Sequence, residues 1–152
     1  MKTSTELTSL LSGVAGEYYV AAELTKLGHM ASITLRNTKG VDILCSNADA
    51  TKSVAIQVKT NRRSNRHWVL NSKCENYYAD NLFYVFVCLN GNEKSPDYFV
   101  VPSKLVADDT KTSHAEWLEA PGKKGQKHND NSIRHFSDEN EQYLNRWDLL
   151  GL

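Results

Sequence analysis

The chain has 152 residues, of which 40% are hydrophobic and 24% are charged, a balance typical of one globular domain with a substantial core. Basic and acidic side chains both number 18, so the formal net charge at pH 7 is zero. Proteins that bind nucleic acids are more often basic, so the neutral charge counts against that class. No apolar run is long enough to span a bilayer, and we expect no signal peptide because residues 1–6 are polar.

The first predicted element is a helix from about Thr5 to Leu27, because apolar residues recur at helical spacing. Thr3 and Glu6 fit a capping box, and Gly28 is typical of a helix end. The apolar positions form two stripes: Leu7, Leu10, Leu11, Val14 and Tyr18, and then Val20, Leu24 and Leu27.

The rest of the chain predicts strands over 31–35, 41–45, 53–59, 68–70, 82–89 and 98–101. The run at 82–89 is nearly all apolar, which favours a central buried strand. Short helices are predicted over 103–107 and 113–119, a polar loop over 121–135 and an amphipathic helix over 138–150. The order predicts a single domain over 1–152 of the α/β type, with a mixed α+β sheet and helices packed on it.

The three cysteines, Cys45, Cys74 and Cys88, are odd in number and widely spaced. Two of them lie in predicted strands and are expected to be buried thiols. This pattern favours a cytoplasmic protein and disfavours a disulfide framework or a zinc site.

Two short predicted strands carry Val41-Asp42-Ile43 and Ile56-Gln57-Val58-Lys59. Because side chains alternate along a strand, Gln57 and Lys59 point to one face and the valines and isoleucine to the other. In a hairpin of suitable register, Asp42, Gln57 and Lys59 converge. A carboxylate, an amide oxygen and an ammonium at one place can hold a divalent cation and a phosphate together.

Glu17 shares the helical face of Val20 and Leu24. An acid on an apolar face needs a partner or a metal. Glu17 is therefore a candidate supplementary metal ligand, and the alternative is an exposed acid at the edge of the stripe.

The motifs occur along the chain in the order Gly16-Glu17, the segment 20–28, Asp42 and Ile56-Gln57-Val58-Lys59-Thr60. This order of motifs resembles the PD-(D/E)xK nuclease superfamily, in its Q-x-K variant. The likeness is closest to small bacterial endonuclease-like domains, a group that holds some homing endonucleases and is similar to Holliday-junction resolvases. It implies a restriction-endonuclease-like core of helix-strand-strand-strand with flanking helices. It also implies a metal-dependent endonuclease acting on DNA.

The resemblance implies that Asp42, Gln57 and Glu17 hold Mg²⁺ or Mn²⁺ and that Lys59 positions the attacking water. Gln57 departs from the acidic form of the motif, so the formal charge comes from two carboxylates, a number that Mg²⁺ accepts. The residues alone leave alternatives open: Asp42 as a turn acid, Gln57 as a half-buried amide, and Lys59 as a strand-edge lysine.

Two polar segments, residues 36–38 and 62–66, are candidate phosphate contacts. Flexible basic loops suit contacts with the nucleic-acid backbone. Their alternatives are an ordinary turn and a solvated hairpin tip. A second basic stretch over 123–135 either closes over nucleic acid or is disordered. The candidate residues are Arg36, Asn37, Thr38, Arg62, Arg63 and Arg66.

Two functions follow as hypotheses. The first is a metal-dependent nucleic-acid phosphodiesterase, which the Asp42–Lys59 set favours. The second is a non-catalytic nucleic-acid- or protein-binding module of the same fold, which Gln57 and the neutral charge favour. Duty as a subunit of a larger defence or repair system is a third. The expected partner is nucleic acid and not a membrane. Cutting both strands needs two sites, so the alternatives to a monomer are a homodimer or a higher homo-oligomer.

Overall fold

The computed structural model describes residues 8–35 and 38–152. The α-helices and strands in these ranges are α1 (Ser9–Lys26), β1 (Met30–Ile33), β2 (Ile43–Ser46), β3 (Ser53–Asn61), β4 (His67–Asn71), β5 (Leu82–Cys88), β6 (Asp97–Pro102), α2 (Ser103–Glu119) and β7 (Ile133–Ser137). Two short 3₁₀-helices span Ser72–Asn76 and Trp147–Leu150. No helix in the described ranges is long and apolar enough to cross a membrane.

Five strands form one mixed sheet in the order β1-β2-β3-β5-β6, and β4 and β7 form a separate antiparallel pair. Within the sheet β3 and β5 run parallel, and the other neighbours run antiparallel. Every residue of β5 is buried, as expected for an apolar strand with neighbours on both edges and cover on both faces.

The two faces of the sheet form two hydrophobic cores. Val20 and Leu24 of α1 pack with Ile43 and Ile56 on one face. On the other face an aromatic core is centred on Trp68, whose Nε1–H donates to the carbonyl of Val87 at 3.0 Å. The remaining members of this second core include Phe86, Phe99, Val106 and Phe136. The buried apolar residues of β3 all face the first core, so its polar side chains Gln57 and Lys59 point to the opposite face of the sheet, where the candidate site lies.

Helix α1 begins later than predicted, with Thr8 as its N-cap: the hydroxyl accepts a hydrogen bond from the Leu11 N–H at 3.2 Å. The predicted capping box of Thr3 and Glu6 lies outside the described residues. The two short helices predicted over 103–107 and 113–119 form one helix, α2. Inside it the Thr110 hydroxyl donates back to the Val106 carbonyl at 2.6 Å, so a polar residue is satisfied without a break in the helix.

The amphipathic helix predicted over 138–150 is wrong. This segment lies along β6: the Val100 N–H donates to the Tyr143 carbonyl at 3.0 Å, and the Asn145 N–H donates to the Tyr98 carbonyl at 2.8 Å. Positive φ angles of 56° at Glu141 and 54° at Asn145 also interrupt any helix. The exposed edge of β6 supplies backbone partners that a helix would have had to provide internally.

The β4–β7 ladder holds two histidines side by side. His67 Nε2 lies 3.0 Å from His135 Nδ1, and His67 Nδ1 lies 2.8 Å from the Ser137 hydroxyl. Burial lowers the pKa of His135 below its ordinary value of 6.5, and the neighbouring His67 and His114 lower it further. The folded protein therefore resists a proton that the unfolded chain accepts.

We expect the free energy of unfolding to fall as the pH drops below about 6.5, where an unfolded His135 begins to take up a proton. Above that pH the histidine is neutral in both states and contributes no pH dependence. The measurement is the melting temperature across a buffer series from about pH 5 to pH 8. His135→Gln should flatten the acidic side of this profile. An equal slope in wild type and His135→Gln would contradict the assignment.

Candidate active site

The pairing of β2 with β3 stops before the end of β3. Its register runs from Ser46 opposite Ser53 to Ile43 opposite Ile56, so residues 57–61 of β3 extend past the last pair. At this point Asp42 donates its backbone N–H to the Ile56 carbonyl at 2.8 Å. The Asp42 carboxylate then accepts from the Val58 N–H at 2.7 Å. The Asp42 side chain thus takes the place of a backbone carbonyl from β2 as the partner of the Val58 N–H. It is held at the point where β2 and β3 separate.

Gln57 joins the same carboxylate. Its Nε2 donates to Asp42 Oδ2 at 3.3 Å, the oxygen that also accepts from Val58. Burial raises the pKa of the Asp42 carboxyl above its usual value, while the Val58 N–H, the charge of Lys59 and the Gln57 amide each act in the lowering direction. A half-buried carboxylate is poorly screened by water, so it gains more than an exposed one from a nearby positive charge.

Gln57 and Lys59 line a cleft of about 590 Å³ on the face of β3 away from α1, and we call it the lysine cleft. Its walls come from the loop before β2, from β4, from the first 3₁₀-helix and from β5. The other lining residues are Lys39, Gly40, Leu70, Asn71, Lys73, Cys74, Asn76, Tyr77 and Tyr84.

Glu17 lies on the other side of Asp42. The two carboxylate residues line a second cleft of about 330 Å³ between α1 and the segment after β1, together with Thr38. The structure therefore brings Asp42 and Gln57 into direct contact and places Lys59 on the same strand beside them. Glu17 and Asp42 both line the second cleft, so Asp42 lies between Glu17 on one side and Gln57 on the other.

The close approach of α1 to β3 sets the position of Glu17. A Cβ atom built on Gly16 would lie only 1.9 Å from Thr60 Oγ1 and 3.0 Å from Thr60 Cβ. Such a distance is shorter than any van der Waals contact, so only glycine allows the helix to lie this near the strand. Glu17, the residue that follows this contact, lines the second cleft together with Asp42.

The candidate phosphate-binding residues differ in their surroundings. Arg36 and Asn37 lie outside the described residues. The Thr38 hydroxyl donates to the Leu35 carbonyl at 2.8 Å and so serves a local turn. Arg62 and Arg63 lie at an exposed tip that is held by hydrogen bonds from the Asn90–Gly91 turn.

Arg66 is engaged within the protein. Its guanidinium is ion-paired with Glu141, which offsets its charge, and lies 5.6 Å from the centroid of the Phe99 ring. The side chains of Arg62 and Arg63 are exposed. Phosphate binding by these residues stays a prediction.

Sequence reasoning did not single out Lys39, Lys73 or Tyr77. They come from segments with no shared spacing, and only the packing of the first 3₁₀-helix beside β3 brings them together. Gly40 is the one residue in the sequence that could have indicated the contact with Tyr77. It has a φ of +70°, and a Cβ there would lie 2.4 Å from the Tyr77 ring, so both its backbone and its lack of a side chain serve this contact.

Comparison with known protein families finds no match, and no curated protein matches. Among solved structures, the bacterial homing endonuclease I-Ssp6803I is similar, with a TM-score of 0.57 and 13% identity over 95% of this chain and 92% of that one. Hjc, a Holliday junction resolvase from the archaeal hyperthermophile Archaeoglobus fulgidus, has a TM-score of 0.45 and 13% identity over 86% of both chains. The fold is mixed α+β and restriction-endonuclease-like, which confirms the fold class predicted from the sequence.

Proposed function

We propose that the protein is an endonuclease that hydrolyses phosphodiester bonds in DNA, with a site of the Q-x-K kind. The observation that carries the proposal is the Asp42 carboxylate, fixed by Gln57 and Val58 where β2 leaves β3. Lys59 lies two residues further along β3, on the face of Gln57. Support at the level of fold comes from the similarity to a homing endonuclease.

The donor chemistry fits a hard divalent cation such as Mg²⁺ or Mn²⁺. In the described ranges no group of three or more His, Cys, Asp or Glu residues is arranged as a metal site. Mg²⁺, however, usually takes one or two carboxylates and completes its shell with water and phosphate oxygens. Asp42, the amide oxygen of Gln57 and Glu17 would hold it. When bound, it neutralises charge on the phosphate and makes water more acidic.

The chain's own groups have distinct tasks in this proposal. The Val58 N–H and the Gln57 amide fix the orientation of the Asp42 carboxylate, so little reorganisation is needed on substrate binding. The Lys59 ammonium orients the attacking water and stabilises the negative charge that grows on the phosphate in the transition state. Exposed Arg62 and Arg63 hold the backbone of the substrate through its phosphates.

The rival function is a nucleic-acid-binding module without catalysis. The observation that favours it is Gln57, an amide where a carboxylate would give a cation one more negative charge. A cleavage assay separates the two functions, because a binding module retains affinity but releases no product.

Lys59→Met should lower cleavage by about 100-fold, the usual effect of removing one group that stabilises transition-state charge. The readout is nicking of supercoiled plasmid and of branched DNA in Mg²⁺ and in Mn²⁺. Lys52→Met is the matched control, since Lys52 is an exposed lysine just before the same strand, and it should cleave like wild type. Equal cleavage by Lys59→Met and wild type would remove Lys59 from the site. A wild type that binds DNA but cuts none of it would favour the binding module.

A further inference from the structure

Three lysines from separate parts of the chain line the lysine cleft: Lys39, Lys59 and Lys73. None of the described lining residues is acidic, and in the described part of the chain none of the three lysines is within ion-pair distance of a carboxylate. Like charges held around one cleft repel each other and lower the energy of a bound anion. The cleft is therefore suited to a group that carries phosphate.

The nearest acid in the sequence faces away from the cleft. Glu75 lies in the same 3₁₀-helix as Lys73 and Asn76, but it is bound to the buried guanidinium of Arg134. That ion pair removes the one carboxylate of the 3₁₀-helix that would otherwise neutralise the lysines. The lining also includes the neutral amides of Gln57, Asn71 and Asn76, which can form hydrogen bonds.

The floor of the cleft is apolar and partly aromatic. Leu70, Cys74 and Tyr84 are buried residues that form part of its lining. The Tyr77 ring forms a wall and is fixed, because its hydroxyl donates to the Gly40 carbonyl at 2.8 Å. An apolar and partly aromatic surface beside lysine and amide side chains matches a nucleotide, whose base stacks on aromatic rings while its phosphate meets the cations.

The size of the cleft limits what enters it. A volume of about 590 Å³ lies in the ordinary range of small-molecule sites, about 300–1,000 Å³. A base inside a duplex is stacked and paired, so it reaches such a cleft only after it leaves the helix, which requires a few kcal/mol. An unpaired nucleotide enters without that penalty.

We propose that the lysine cleft binds one unpaired nucleotide next to the scissile phosphate. This inference rests on the proposed function, and it narrows the substrate to DNA with an unpaired nucleotide at the cleavage point, such as a bulge or a single-stranded branch. Lys59 links the two sites, because it borders the cleft and lies beside Asp42 and Gln57. The nucleotide that the cleft holds fixes the adjacent phosphodiester bond against these residues.

The test uses one duplex sequence in three forms: fully paired, with a one-nucleotide bulge, and with the same bulge lacking its base. Binding is measured by fluorescence anisotropy without added metal, so the result does not depend on catalysis. We expect the bulged form to bind roughly tenfold more tightly than the other two, the usual contribution of one stacked base. 2-Aminopurine placed in the bulge should change its fluorescence on binding, because its base stacks on the cleft.

Lys73→Met should reduce the affinity for the bulged form and the bulge-to-duplex ratio together. Lys111→Met, an exposed lysine of α2 outside the lining, should bind all three forms like wild type. Equal affinity for all three forms, or an unchanged 2-aminopurine signal, would overturn the inference. Selective binding without any cleavage would instead retain the nucleotide site and reject the endonuclease proposal.

Discussion

Asp42→Asn should lower cleavage by about a thousandfold while the protein stays folded. Asparagine keeps the carbonyl oxygen that accepts from the Val58 N–H, so the place where β2 and β3 part is preserved. What it removes is the negative charge, on which cation binding and the alignment of Lys59 depend. Since burial disfavours the ionised carboxyl, we expect the melting temperature of the variant to equal or exceed that of wild type.

The assay is plasmid nicking in Mg²⁺ and Mn²⁺, with a melting curve of each protein. Asp49→Asn is the matched control, because Asp49 is an exposed acid in the turn between the same two strands, and it should cut at the wild-type rate. Undiminished cleavage by Asp42→Asn would exclude Asp42 from the site. A large fall in its melting temperature would show that the carboxylate has a mainly structural role.

Gly16→Ala should destabilise the protein by about 2–3 kcal/mol through overpacking. The new methyl group would overlap Thr60 Oγ1 at 1.9 Å and approach Thr60 Cβ at 3.0 Å. Thr60 is β-branched, so turning its side chain replaces one group near the helix with another. Helix α1 must therefore move away from β3, and Glu17 moves with it.

The same helix offers a matched control in Gly13, where an added Cβ meets nothing within 4 Å. Gly13→Ala should stabilise the protein by roughly 0.5–1 kcal/mol, because alanine is the better helix former. Thr60→Ala alone should be nearly neutral, since the Thr60 hydroxyl is buried and has no hydrogen-bond partner among residues 8–35 and 38–152. Adding it to Gly16→Ala should recover part of the loss. Urea unfolding measures all four variants, and equal effects of Gly13→Ala and Gly16→Ala would disprove the close contact.

Local patterns in the sequence predicted the elements that carry the site. The alternation of Ile56-Gln57-Val58-Lys59 predicted a strand with its polar residues on one face, and in β3 the two apolar residues are buried while Gln57 and Lys59 line a cleft. The apolar run at 82–89 predicted the central strand. These predictions succeed because side-chain periodicity and burial follow from the geometry of the strand itself.

The C-terminal segment shows where such patterns fail. The apolar residues Tyr143, Leu144 and Trp147 have helical spacing, yet the backbone around them bonds to the edge of β6. Periodicity in the sequence indicates which side chains are buried. It does not indicate which groups form hydrogen bonds with the backbone. An unpaired strand edge nearby in space decided the outcome, and it is not visible in the local sequence.

Short stretches of the chain were enough to predict the fold class, the central strand and the order of Glu17, Asp42, Gln57 and Lys59. Which groups meet depends on tertiary packing. It brings the Asp42 carboxylate to the Val58 N–H and the Gln57 amide, places Glu17 at a separate cleft that Asp42 also lines, and pairs Arg66 with Glu141. It also assembled the lysine cleft from the loop before β2, from β4 and from the first 3₁₀-helix. Contacts between segments distant along the chain arise from packing, and no spacing within the sequence encodes them.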